Sequence, residues 1–212
     1  MEQLYKRYLK ESKAIRVENG IVMIPDISGY TNFVNSICIE AGRYITRELL
    51  SVILAANSTG LEVSEIEGDA ILFYKFGPKP PVEAIVRQYE EMLSAFNAKL
   101  REIEDIVGHR LDLSLKLIAH YGSFSEYTIG TFKKLYGEPV VRAHALLKNN
   151  VESNTYILLT DSLATLQAAE QSDDFFLIEY DQQNIYTHHK KTKHGTDYQT
   201  SIRQVSLQPN FV

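Results

Sequence analysis

The sequence predicts an α+β fold, a ferredoxin-like βαββαβ core with an antiparallel sheet, and three observations carry that expectation. Residues 20–30, GIVMIPDISGY, form a near-continuous apolar run of the kind found in a strand buried on both faces. Two long stretches repeat apolar residues at spacings of three and four, the mark of amphipathic helices. The segments between and after them alternate or turn on glycine, as strands and hairpins do. Strand, helix, two strands, helix, strand, then helix, strand and tail is the order of such a core, with helices expected on one face of the sheet.

Taken in order, residues 1–14 read as a short amphipathic helix with Leu4, Tyr8 and Leu9 on one side. The first strand follows, and Pro25 inside it removes a ladder hydrogen bond, so one side of the strand is expected to be open there. Phe33, Ile37, Ala41, Ile45, Leu49, Val52 and Ala56 share one helical face, and residues 57–60 stop the helix. LEVSEIEGDAILFYKF predicts a β-hairpin turning at Glu67, Gly68 and Asp69. Gly77 and the prolines after it break the chain before a long helix that carries Val82, Ile85, Val86, Tyr89, Leu93, Phe96, Leu100 and Ile103. LDLSLKLIAHYG alternates, with Leu111, Leu113, Leu115, Leu117 and Ala119 on one face. A loop, a helix opened by Pro139 and the strand TYILLT come next. The tail, residues 170–205, predicts a hairpin of edge strands around a polar, His/Lys-rich connection. With no repeat and no linker, residues 1–212 read as one domain, its core at about 20–165.

Composition narrows the function classes. Lys and Arg number 22 against 27 Asp and Glu, a net charge of −5, so no basic field points to nucleic acid or an anionic membrane surface. The single cysteine, Cys38, excludes an internal disulfide framework and a multi-thiolate zinc site, and its apolar surroundings predict a buried structural thiol. The polar N-terminus does not resemble a signal peptide, and no run approaches the roughly 20 apolar residues that span a bilayer. The expectation is a cytoplasmic protein without a membrane partner.

Two carboxylates carry the chemical argument. In a ferredoxin-like core the first strand lies beside the hairpin of the second and third, so Asp26 at the strand's end and Asp69 at the hairpin tip arrive at one sheet edge. Convergent carboxylates suit Mg²⁺ or Mn²⁺, hard ions that take oxygen ligands and bridge phosphates. Between Asp26 and the next helix lie Ser28, Gly29, Tyr30 and Thr31. Gly29 permits close backbone approach, and free N–H groups at a helix start can cradle an anion. Taken singly, each aspartate has an ordinary explanation as a strand-end cap or a turn residue. Jointly, with the glycine-bearing loop, they favour a site for a nucleoside triphosphate.

These residues resemble a known family. IPDISGYTNF is similar to the first metal motif of class III nucleotide cyclases, the adenylate and guanylate cyclases, and EIEGDAILFY to their second. HYG at 120–122 resembles their H-x-G, and LYGEPVVRAHALL their W-G-x-x-V-N-x-A-x-R-L. The resemblance implies that Asp26 and Asp69 bind the metal and that an opposing chain of a head-to-tail homodimer completes the site. It also exposes departures. Val141 and Ala145 stand where the family has the Asn and Arg that steady the ribose and the transition-state phosphate. Neither can donate a hydrogen bond to phosphate, and losing one preorganised donor costs about 10²–10³ in rate. Arg142 lies one position along, turned by about 100° on a helix, and is the candidate replacement.

In adenylate cyclases a Lys meets purine N1 and an Asp meets the 6-amino group. Glu65 and Lys134 occupy the matching positions, with the charges exchanged. A carboxylate wants a donor at N1 and an ammonium wants an acceptor at position 6, and guanine supplies both. The expected ligand is therefore a purine nucleotide, guanine favoured over adenine. His188, His189 and His194 with Lys190, Lys191 and Lys193 read as a solvated loop, and His120 as a satisfied structural histidine at a strand end. The resulting expectation is a cyclase-like nucleotide-binding domain whose cyclase activity is weak or lost; the alternative is a non-catalytic dimerisation or regulatory module of the same fold.

Overall fold

The computed structural model describes residues 1–12, 16–149, 151–164, 175–180, 185–190 and 203–205. Helix α1 (Glu2–Ser12) leads, and Leu4, Tyr8 and Leu9 are exposed rather than packed on the sheet. Strand β1 (Val17–Ser28) is buried on both faces, as a continuous apolar run requires. On one face Ile21, Met23 and Ile27 join the core built with Ile45, Leu49 and Ile53 of helix α3, described below. On the other, Val22 and Ile24 pack with Ile118 and Ala143.

The region read as one helix is two: α2 (Tyr30–Ser36) and α3 (Ile39–Ala55). Ile37 and Cys38 are extended between them, and Cys38 is exposed, so the buried-thiol expectation does not hold. The apolar periodicity hid the break because Ile37 still packs against the core while its backbone is extended.

Strands β2 (Glu62–Glu67) and β3 (Ala70–Phe76) form the hairpin, and α4 (Val82–Val107) is the long helix, ended by Gly108 in the left-handed region. Ile85, Tyr89, Met92 and Phe96 of α4 join the same core as α3.

Strand β4 (Ser114–Ile129) runs past the expected strand into what the sequence presented as a loop, then turns at Gly130, φ 59°, into β5 (Phe132–Tyr136). In this arm Leu135 packs against the cluster that contains Tyr74 and Phe124, and the Tyr74 hydroxyl lies 2.5 Å from Glu126 and 3.1 Å from Glu62.

Helix α5 (Glu138–Leu147) lies on the face opposite α3 and α4, held by Val140, Ala143, Leu146 and Leu147. Helices therefore cover both faces, where one was expected. Strand β6 (Tyr156–Thr160) runs parallel to β4, and α6 (Asp161–Ala164) follows.

The tail adds β7 (Phe175–Tyr180), β8 (Ile185–Lys190) and β9 (Arg203–Val205) as successive antiparallel strands. His188, His189 and Lys190 thus lie in a strand instead of a loop, while Lys191, Lys193 and His194 fall outside the described residues.

The sheet order is β2-β3-β1-β4-β6-β7-β8-β9, with β5 beside β4. Its first four strands have the ferredoxin-like arrangement with antiparallel neighbours. Pro25 falls where the β1–β3 ladder lapses, between Met23↔Phe73 and Asp26↔Ala70. The missing N–H is accommodated there, as the sequence anticipated.

Candidate functional site

Asp26 stands near the end of β1 with Ala70 of β3 on one side and Lys116 of β4 on the other. Asp69 follows Gly68, whose φ of 61° turns the β2–β3 hairpin. The Asp69 carbonyl accepts a hydrogen bond from the Ile27 N–H at 3.2 Å, which ties the hairpin tip to the strand end that carries Asp26. Both aspartates line one cleft of about 160 Å³, together with Glu65, Glu67, Leu72 and His144. Burial, and then the charge of Asp26, push the Asp69 carboxyl up to about 6. A half-buried carboxylate held beside a second one in this way marks a place that favours a cation.

Lys116 already answers part of that demand: its Nζ lies 3.1 Å from Asp26 Oδ1. Sequence reading missed Lys116 and His144. His144 Nδ1 lies 2.8 Å from the Val140 carbonyl, an acceptor only, so the proton is on Nδ1. Among the described residues no three His, Cys, Asp or Glu side chains enclose an ion by themselves. The donor set is the pair of aspartates, which fits an ion that keeps waters and takes its remaining ligands from phosphate.

The loop after Asp26 is less open than its sequence suggested. Ser28 is buried, Tyr30 leans on Phe33 with ring centroids 6.3 Å apart, and Gly29 and Thr31 are exposed. Gly29 has φ 86°, and a Cβ there would collide with the Asp112 carbonyl oxygen. Its close approach is thus to the chain's own backbone. The helix it opens has only seven residues.

Glu65 and Lys134 come together across the fold, from β2 and from the β5 arm, and form an ion pair with one another. The hydrogen bond to Glu65 raises the Lys134 pKa. On α5, Val141 is 70% exposed and Ala145 is exposed, and neither lines the Asp26–Asp69 cleft. Arg142 is paired with Glu138 one turn back, at 3.5 Å.

His120 is buried within β4 rather than at a strand end; its Nδ1 lies 2.7 Å from Thr160 Oγ1 and its Nε2 3.3 Å from Glu138. Burial lowers its pKa, with Glu138 opposing and Arg142 assisting. A histidine held neutral in the fold takes up protons more readily when unfolded. Stability is therefore expected to fall as pH drops below about 6.5, the ordinary histidine value. His120→Gln should show a shallower fall of the thermal midpoint between pH 7.5 and 5.5. Identical slopes in the two proteins would contradict this.

A second, larger groove of about 570 Å³ runs along α2 and α3, lined by Val34, Ile37, Leu50, Leu54 and Ile66 with Arg43 and Arg47. Among the described residues that line it there is no carboxylate. No helix among the described residues is long and apolar enough to cross a membrane.

Solved structures share this architecture. The guanylyl cyclase Cya2 superimposes with a TM-score of 0.64 at 13% identity, covering 93% of this chain and 96% of that one. The adenylyl cyclase CyaB from P. aeruginosa gives 0.61 at 15% identity, covering 92% and 98%. A class III adenylyl cyclase-like ATP-binding protein from Pseudomonas aeruginosa gives 0.56 at 14% identity, covering 71% of this chain and 36% of that one. At such identities the likeness is one of fold: this is a class III cyclase-like α+β sheet.

Sequence relatives are nearer. The uncharacterized protein Rv2561/Rv2562 of Mycobacterium tuberculosis (strain ATCC 25618 / H37Rv) is 31% identical over 123 residues. That match spans 55% of this chain and 57% of the mycobacterial protein. Residues 46–156, from α3 through the Asp69 hairpin and the arm to the start of β6, match the profile of a family over more than half the chain. By that match the chain belongs to the family described as "Protein of unknown function (DUF2652)".

Proposed function

We propose that this chain binds a purine nucleoside triphosphate with a divalent cation, Mg²⁺ or Mn²⁺, and that its capacity to cyclise the nucleotide is weak or lost. The observation that carries this reading is the convergence of Asp26 and Asp69 in one cleft, with the Asp69 carboxyl pushed up to about 6 by burial and by its neighbour. Those two carboxylates would hold the ion, which supplies neutralisation of phosphate charge. The fold supports the reading, since proteins sharing it include cyclases and one described as ATP-binding.

Weak cyclisation follows from α5. Val141 and Ala145 face outward and carry no donor, and Arg142 is engaged by Glu138. Glu65 and Lys134 are the candidate base contacts, and Gly29 and Thr31 are the exposed part of the candidate phosphate loop. A site divided between two copies explains why the face of α5 that carries Val141 and Ala145 lies outside this chain's own cleft, and a homodimer is part of the proposal. Phe132 and Tyr136, exposed on the arm, and Val141, exposed on α5, are the apolar side chains such a contact would cover. Sedimentation at high micromolar concentration should give a dimer; a monomer throughout would contradict it.

The binding test is a thermal-shift panel of nucleotides with Mg²⁺ or Mn²⁺. A ligand at 100 times its Kd stabilises by about 2.7 kcal/mol. No shift with any purine triphosphate would overturn the reading and leave a dimerisation module of the cyclase fold as its replacement.

A further inference from the structure

The Asp26–Asp69 cleft is not an undivided pair of negative charges. Asp26 and Lys116 are directly cross-strand partners on β1 and β4. Their side chains are 14% and 19% exposed, and the ammonium lies 3.1 Å from Oδ1. On the opposite side of Asp26, Ala70 of β3 brings Asp69 alongside. Asp26 therefore sits between a fixed cation and a second carboxylate. Glu65, which lines the same cleft, has its charge met by Lys134.

We propose that Lys116 is a built-in cation of this site, which weakens binding of a bare divalent ion and makes metal entry depend on the nucleotide's phosphates. The inference rests on the metal-binding reading above and adds the order in which the ligands are accepted.

The reasoning is Coulombic. A divalent ion approaching Asp26 and Asp69 meets an ammonium that is partly shielded from water and already occupies one oxygen of Asp26. Repulsion from Lys116 offsets much of the attraction that one of the two carboxylates provides. A metal–triphosphate complex reverses the sign, because its phosphate oxygens are attracted to the same ammonium. The lysine thus opposes the free ion and favours the chelate, a coupling that linkage makes reciprocal: metal and nucleotide each tighten the other. The register makes this durable, since Lys116 lies within the β1–β4 ladder rather than on a loop.

The test is Mn²⁺ binding without nucleotide, read by loss of the free-ion paramagnetic resonance signal. Wild type, Lys116→Gln, Lys116→Met and Lys116→Arg are compared, each checked for native circular dichroism. Gln can still donate to Asp26 without the charge, which keeps the test valid if Met disturbs folding.

Removing the charge is expected to tighten Mn²⁺ by about tenfold or more, while Arg behaves as wild type. Added GTP should then tighten Mn²⁺ more in the wild type than in Lys116→Gln. Equal or weaker Mn²⁺ binding in the neutral variants, with wild-type binding intact, overturns the role of Lys116 and leaves the metal reading standing. Tighter binding that survives Asp26→Asn with Asp69→Asn places the ion elsewhere and overturns both. Absence of Mn²⁺ binding in every variant without nucleotide overturns the role of Lys116, and its absence with GTP present as well overturns both.

Discussion

Replacing Asp26 and Asp69 together by Asn is expected to abolish the stabilisation that GTP with Mn²⁺ gives the wild-type protein, without unfolding the metal-free chain. The two carboxylates share a cleft, and burial and then the charge of Asp26 raise the proton affinity of Asp69, so a charged Asp69 is a liability to the fold that a divalent cation relieves. Asn preserves shape, removes that repulsion, and still offers an oxygen to Lys116 in place of the Asp26 carboxylate. It is a far poorer ligand for a hard divalent ion. At 100 times Kd the wild type should gain about 2.7 kcal/mol, or a rise in thermal midpoint on the order of 5–10 °C for a chain of this length. The double variant should show almost none of that rise. An undiminished rise in the variant would remove both aspartates from the site.

The second large effect expected is discrimination between bases. Glu65 and Lys134 form an ion pair with one another, and both side chains are partly exposed, so solvent screens the pair and a ligand can open it. Inserted between them, guanine offers N1–H to the carboxylate and O6 to the ammonium. Adenine presents an acceptor to the carboxylate and a donor to the ammonium. Each mismatched buried group costs about 1–3 kcal/mol, so GTP should bind at least about tenfold more tightly than ATP. Exchanging the charges, Glu65→Lys with Lys134→Glu, should preserve the ion pair and reverse the preference. Tighter ATP binding by the wild type would refute this assignment. Cyclic product should accumulate slowly with either nucleotide, because Val141 and Ala145 offer nothing to developing phosphate charge. Robust turnover would refute impaired cyclisation and direct attention to Arg142.

What was legible in the sequence was what short-range pattern encodes. The run at residues 20–30 marked the central strand, and Pro25 marked the lapse in its ladder with β3. The periodic faces of α3 and α4 located part of the core on one side of the sheet, Ile45 and Leu49 from α3 and Ile85, Tyr89, Phe96, Leu100 and Ile103 from α4. The element order then implied a topology, and the topology brought Asp26 to Asp69.

The misses have physical causes. A two-residue extended break at Ile37 and Cys38 left the apolar spacing intact, so one helix was read where two exist. The β5 arm is short and carries Lys133 and Lys134, which resembles a solvated loop until Leu135 is seen against Tyr74 and Phe124. The placement of α5 depends on Val140, Ala143 and Leu147 meeting a second apolar face of the sheet, which the sequence order alone does not specify. Lys116 looked like an ordinary polar position in an alternating strand. Its meaning comes from the cross-strand register that sets it against Asp26, a long-range pairing with no local signal.

The central claim, that Asp26 and Asp69 hold a divalent ion beneath a bound nucleotide, is tested most directly by anomalous diffraction from crystals grown with Mn²⁺ and a non-hydrolysable GTP analogue. The expected result is a manganese peak within about 2.0–2.3 Å of a carboxylate oxygen from each aspartate, with phosphate oxygens completing its shell. A peak coordinated by other residues, or an ordered nucleotide bound away from both aspartates, would contradict it.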